Sequence, residues 1–102
     1  MEEKRVINDT TITLDTVPIE VSPHVFGGVR SVIIITNTSL AGETVSIGIL
    51  AQAKANQGVV LYPGDKFAAS KDAGYTPSPE QITAVASANT ATIALHEEID
   101  LF

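Results

Sequence analysis

The chain has 102 residues, twelve of them acidic and six basic, a formal charge of −6 and no cysteine. That length supports one domain burying roughly 60–70% of its unfolded surface, and the lack of Cys excludes disulfides and thiolate metal sites. The largest basic cluster is Lys4–Arg5, so phosphate neutralisation is unavailable as a source of affinity and nucleic acid is not an expected partner.

Val, Ile and Thr number 10, 11 and 11, against 7 for Leu and Met together. Side chains branched at Cβ suit a pleated surface and lose rotamer freedom in helices, so the composition reads as all-β. The longest strictly apolar run, Val32–Ile35, is far too short to cross a bilayer, and no membrane partner is expected. The charged start Met1–Arg5 gives no expectation of a cleaved secretory signal.

Residues 1–8 read as an N-terminal arm, and residues 9–102 as a single β-sandwich domain. Ile12 and Leu14 share one face of a first strand, with Thr11, Thr13 and Asp15 opposite. Val17, Ile19 and Val21 then fall in the other phase, which predicts a turn or bulge near Asp15-Thr16. Pro18 removes a backbone donor and favours an edge position. Gly27-Gly28 close a connection and are free to take positive φ.

The run from Val29 up to the turn Asn37–Glu43 is apolar on both faces, Val32 and Ile34 pointing one way and Ile33 and Ile35 the other. A strand buried on both faces needs a cover on each side. In so short a chain one cover is expected to be another protein molecule. Val45, Ile47 and Ile49 alternate with Ser46 and Gly48, so this strand is expected to show its second face to water and to pair with the first as a hairpin.

Ala51–Gly58 reads as a polar loop or short helical turn, and Gly58–Tyr62 as a strand. Pro63-Gly64 suits the centre of a type II turn, with Lys66–Ser70 returning. Ser78-Pro79-Glu80-Gln81 has the chemistry of a helix start, and Ile82, Val85 and Ala86 share a helical face, predicting one short helix near 79–87. The closing strand carries Ile93 and Leu95 inward; Glu97 falls on that same face, so the strand is expected to end or bulge there. Ile99, Leu101 and Phe102 form an apolar tail that needs a cover. The sum is a compact antiparallel β-sandwich of about seven to nine short strands, compatible with a jelly roll.

Chemistry is sparse. His96, Glu98 and Asp100 share a face at a spacing of two, a set that could ligate a divalent metal. With no second His placed by sequence, an exposed charged strand explains the spacing, and no metal, cofactor or catalytic residue is assigned. No Gly-x-Ser-x-Gly is present. Asn37-Thr38-Ser39 matches a glycosylation acceptor, without an export signal to support its use. Tyr75, in a Gly/Pro-rich loop, is the best aromatic contact candidate.

The Ile-rich strand ending in Asn37-Thr38-Ser39, the Leu61-Tyr62-Pro63-Gly64 turn, the Tyr75-Thr76-Pro77 loop before Ile82–Ala84, and a closing strand reaching Glu97 together resemble small β-sandwich virion structural proteins. These are chiefly tailed-phage head decoration and fibre-like proteins, and the resemblance covers about two-thirds of the chain. It implies a non-enzymatic capsid decoration or cement protein, bound in many copies to the major capsid protein or another virion protein. It further implies a location on the capsid surface, with host cytoplasm during assembly, and a homo-oligomer, a trimer suiting a threefold capsid position. The interface candidates are Val32, Ile33, Ile34, Ile35, Tyr75, Ile99, Leu101 and Phe102. The alternative function is a small carbohydrate-binding sandwich module using Tyr75, against which the lack of Trp counts.

Overall fold

The β-branched runs become eight strands in a computed structural model, which describes residues 5–70, 77–88 and 90–102. In chain order they are β1 (Arg5–Leu14), β2 (Ile19–Ser22), β3 (Gly28–Asn37), β4 (Val45–Ile49), β5 (Val59–Leu61), β6 (Lys66–Ser70), β7 (Ile82–Ala86) and β8 (Ala91–Leu101). They form two four-stranded antiparallel sheets, ordered β1-β8-β3-β6 and β2-β7-β4-β5. The pairs are nested: β4 with β5, β3 with β6, β2 with β7 and β1 with β8. This is one long antiparallel ribbon rolled on itself and closed by the β3–β8 and β4–β7 ladders, the double Greek key of a jelly roll.

The inner faces meet in one core. Leu14, Ile33, Ile35, Ala69, Ile93 and Leu95 of the first sheet pack on Val45, Ile47, Leu61, Ile82, Ala84 and Ala86 of the second. Burying one such side chain contributes roughly 1.5–3 kcal/mol, which is how a chain without staples holds this fold.

Several expectations are corrected. No helix occurs near 79–87; Ile82–Ala86 is β7, a central strand with all five residues buried. Ser78 does use its hydroxyl as a cap would, but it accepts from the Glu80 amide in a local turn (3.2 Å). Ile82, Thr83 and Val85 are branched at Cβ and fit a strand covered on both sides better than a short helix.

The expected hairpin of β3 and β4 is absent: the connection between them crosses from one sheet to the other. The Tyr62–Asp65 turn forms as expected, with the Asp65 amide donating to the Tyr62 carbonyl (2.8 Å) and Gly64 at φ +88°. It too is a corner between sheets, delivering β5 to β6. Nor is residues 1–8 an arm throughout, because Arg5–Asn8 pair with Asp100–Glu97 within β1. Met1–Lys4 and Tyr75 lie outside the described residues.

The centre of the outer face of the second sheet, on β4 and β7, does not see water, although Glu20 at its β2 edge is exposed. Ser46, Thr83 and Val85 are buried there, under the segment joining β4 to β5. The Ala53 amide donates to Thr83 Oγ1 (2.8 Å) and the Asn56 amide to Ser46 Oγ (2.8 Å). The Ser46 hydroxyl, which signalled exposure in the sequence, is one of the two anchors of this cover. Gly48 permits it, since a Cβ at that position would lie 2.3 Å from the Ala51 carbonyl oxygen.

Candidate interaction surface

At one pole of the sandwich the first sheet continues past the second, and the exposed inner face is closed by a polar brace. The ladder between β3 and β8 shifts register between Arg30 and Val32. That bulge turns Arg30 inward, although alternation from Ile33 and Ile35 would place it outside. Arg30 is fully buried. Its Nε donates to Glu97 Oε2 (2.8 Å), and its terminal nitrogens donate to Ser22 Oγ (2.8 Å) and to the carbonyls of Pro23 (3.0 Å), Glu80 (3.1 Å) and Ser78. Glu97 also accepts from Asn8 Nδ2 (3.1 Å) and from the Ser22 hydroxyl. Burial opposes ionisation of Glu97, but the hydrogen bonds from Ser22, Arg30 and Asn8 and the Arg30 charge outweigh it and hold its carboxyl below 4.5. The strand therefore runs on through Glu97 to Leu101 rather than ending there.

The brace fixes the two segments that carry the pole, 23–27 and 77–81, to the sheet, and the Val25 amide donates to the Pro79 carbonyl between them (2.8 Å). On this support stand Phe26, 82% exposed, and Phe102, 85% exposed, with Leu101 at 41%. The Phe102 amide donates to the Gly27 carbonyl (2.9 Å), so residues far apart in sequence share one patch. Both glycines are needed: Gly27 has φ +70°, and a Cβ on Gly28 would lie 2.7 Å from the Asp100 carbonyl oxygen. Phe26 also lies 4.3 Å, centroid to centroid, from the His24 ring. Large apolar groups held out on rigid backbone are the anchors that protein interfaces use.

Of the sequence candidates, Ile33 and Ile35 are core residues, 1% and 0% exposed, and leave the interface set. Val32 and Ile34 are half-buried on the outer face of the first sheet, beside Ala68, Ser70, His96 and Glu98. Ile99 is half-buried, while Leu101 and Phe102 are exposed at the pole. Phe26 was not legible as a candidate because nothing local ties it to Phe102.

The His96 face is a charge network. His96 Nδ1 lies 2.6 Å from Asp9 Oδ1, and Nε2 lies 2.8 Å from Glu98 Oε2. Arg5 adds bonds to Asp100 (2.7 Å) and Glu98 (3.3 Å). Hydrogen bonds from Glu98 and then Asp9 raise the His96 pKa above 6.5. With a carboxylate at each ring nitrogen, the imidazolium is the form this geometry favours. Among the described residues no cluster of acidic, His or Cys side chains is arranged to hold a metal ion.

At the opposite pole Asn37 is fully buried. Its Nδ2 donates to the carbonyls of Glu43 and Leu61, both at 2.9 Å, and its Oδ1 accepts from the Ser39 amide (3.0 Å). The Gly64 amide donates to its carbonyl (2.8 Å). The Asn-Thr-Ser and Leu-x-Pro-Gly motifs are thus one joint, and in the folded chain Asn37 cannot accept a glycan.

No family model matches the chain, and no curated protein matches it. It is similar in fold to a solved chain from Bacillus endospore appendages, which form a novel family of disulfide-linked pili. The TM-score is 0.51 and the identity 12%, covering 100% of this chain and 93% of that one. At that identity the likeness is one of fold. The disulfide linkage of those pili has no counterpart here, because this chain has no cysteine.

Proposed function

We propose that this chain is a non-enzymatic structural subunit of a multi-copy assembly, and in finer terms a virion decoration protein that seats its aromatic pole on the capsid exterior. The observation that carries the reading is the patch of Phe26, Leu101 and Phe102, exposed yet held by backbone bonds and braced from beneath by Arg30 and Glu97. An exposed apolar group fixed in place loses little entropy on docking, which favours contact with a matching apolar surface. The pilus-like fold neighbour supports a structural role, and the sequence resemblance supports the virion.

A single small patch binds weakly, so the subunit works by number, many copies each adding a modest contact. The test is quantitative peptide mass spectrometry of density-purified virus particles and of sheared surface filaments from the source culture. Copies comparable to the major capsid protein are expected in the particles. Abundance in filaments instead would overturn the virion reading but keep the structural one, and absence from both would overturn both.

A further inference from the structure

A sandwich of two open sheets has four edge strands, here β1 and β6 in the first sheet and β2 and β5 in the second. Soluble proteins protect such edges, because a row of free backbone donors and acceptors recruits other strands. Three of these edges are protected. β2 has four residues, follows Pro18 and shifts register between Glu20 and Ser22. β5 has three residues, and β6 has five and begins at Lys66.

β1 is different. It has ten residues, with no proline, no lysine and an unbroken register against β8 from Arg5 to Leu14. It is exposed along its length except at Ile12 and Leu14, and among the described residues no strand pairs with its second edge.

We propose that β1 is a self-association edge, at which β1 of a second copy adds antiparallel and joins the two first sheets into one across a two-fold axis. The occupant follows from length and charge. Among the described residues none of the other edges is long enough to match β1, whereas a second β1 satisfies the whole row. The chain carries −6 overall, but β1 carries one Arg and one Asp, each bound within its own molecule to Asp100 and Glu98 or to His96. Two copies therefore meet with little repulsion at this edge.

The pleat limits the register. A continuous sheet places residues of like face opposite one another, so a residue on the axis faces itself. Asp9 on the axis would oppose two carboxylates. Thr10 on the axis pairs Val6 with Leu14, Asn8 with Ile12, and Asp9 with Thr11 of the second copy, and sets the two hydroxyls together. The contact is isologous and closes at two copies.

This contact deepens the structural-subunit reading by naming how copies meet, but its test uses the pure chain, so it stands or falls apart from particle analysis. Sedimentation equilibrium is expected to show mass rising with concentration from 10.7 kDa toward twice that value. The absence of cysteine gives a clean background for crosslinking. In Thr10→Cys the two sulfur-bearing positions lie about 4.5–5.5 Å apart by Cα, within disulfide reach. In Thr11→Cys they lie roughly 8 Å apart, outside it. Mild oxidation should link Thr10→Cys at least about ten-fold more than Thr11→Cys or the β6-edge control Lys66→Cys.

Thr10→Lys should weaken the dimer by about ten-fold or more, whereas Thr11→Lys, placed opposite Asp9 of the second copy, should not. Circular dichroism and a melting curve on each variant confirm folding, since both threonine side chains are exposed. A chain that stays monomeric at every concentration reached, or crosslinking at Thr10 no greater than at Lys66, would overturn the proposal.

Discussion

Replacing Arg30 by Met tests the brace beneath the pole. The change keeps an unbranched side chain of similar reach but removes the donors that bind Glu97, Ser22 and three backbone carbonyls. Glu97, 3% exposed, is left ionised with only Asn8 and Ser22 to bond it. Breaking a buried pair from one side costs about 3–5 kcal/mol, set against about 5–15 kcal/mol for a whole domain. At about 4–8 °C per kcal/mol for a domain of this size, the melting temperature should fall by about 12–40 °C. Urea denaturation of Arg30→Met, Glu97→Leu and the double variant forms a cycle. The double variant should be more stable than the sum of the single losses by at least about 1 kcal/mol, because it leaves no unpaired charge. A single-variant loss under about 1 kcal/mol, or additivity within about 0.5 kcal/mol, would refute the reasoning.

Ile33→Asp should unfold the domain by burying an unpaired charge, whereas Ile34→Asp on the outer face should leave a folded chain; equal unfolding in both, read by circular dichroism, would contradict the assigned faces. His96 has a raised folded pKa, so its ion pairs contribute fully below pH 6.5 and are lost as pH rises through that raised value. Urea midpoints should therefore decline across this alkaline limb, and the decline should flatten in His96→Gln. Glu97 has the opposite sign: its contribution is present above 4.5 and lost as pH falls through its depressed folded pKa, so Glu97→Gln should blunt the acid limb. Gly48→Ala sets a Cβ against backbone atoms of Ala51 and Ala53 and should cost about 1–3 kcal/mol, with faster exchange of the Ala53 and Asn56 amides; an unchanged melting curve would sink that account.

Much of the fold was legible because alternation is local. Ile12 and Leu14, Ile93 and Leu95, and the Pro63-Gly64 turn all lie where period and turn chemistry place them. What failed was non-local. Whether β3 meets β4 is decided by β8, whose ladder fills the position a hairpin partner would take. The cap signal at Ser78 was real, but a slot between β2 and β4 outweighed it. Ser46 read as exposed because a hydroxyl cannot announce that a later loop will bind it. The bulge before Val32 hid Arg30, and with it the partner that makes an inward Glu97 stable. The pole was half visible, through Leu101 and Phe102, and its other half, Phe26, enters only by way of the Gly27–Phe102 bond.

The nested pairing also dictates an order of events. Among the described strands only β4 and β5 are neighbours in both chain and sheet, whereas the bond from Arg5 to Asp100 closes 95 residues. Loop closure costs least for the shortest span, so the roll should zip outward from β4–β5, through β3–β6 and β2–β7, to β1–β8. Pulsed hydrogen exchange during refolding should protect Ile47 amides before those of Ile12, and the reverse order would contradict it. Until β8 arrives, the isoleucines of β3 lack their main neighbour and the Arg30 charge lacks Glu97. A nascent chain halted before Ala91 is thus a sticky, unfinished object, and the same strand that completes the sheet ends that vulnerable interval.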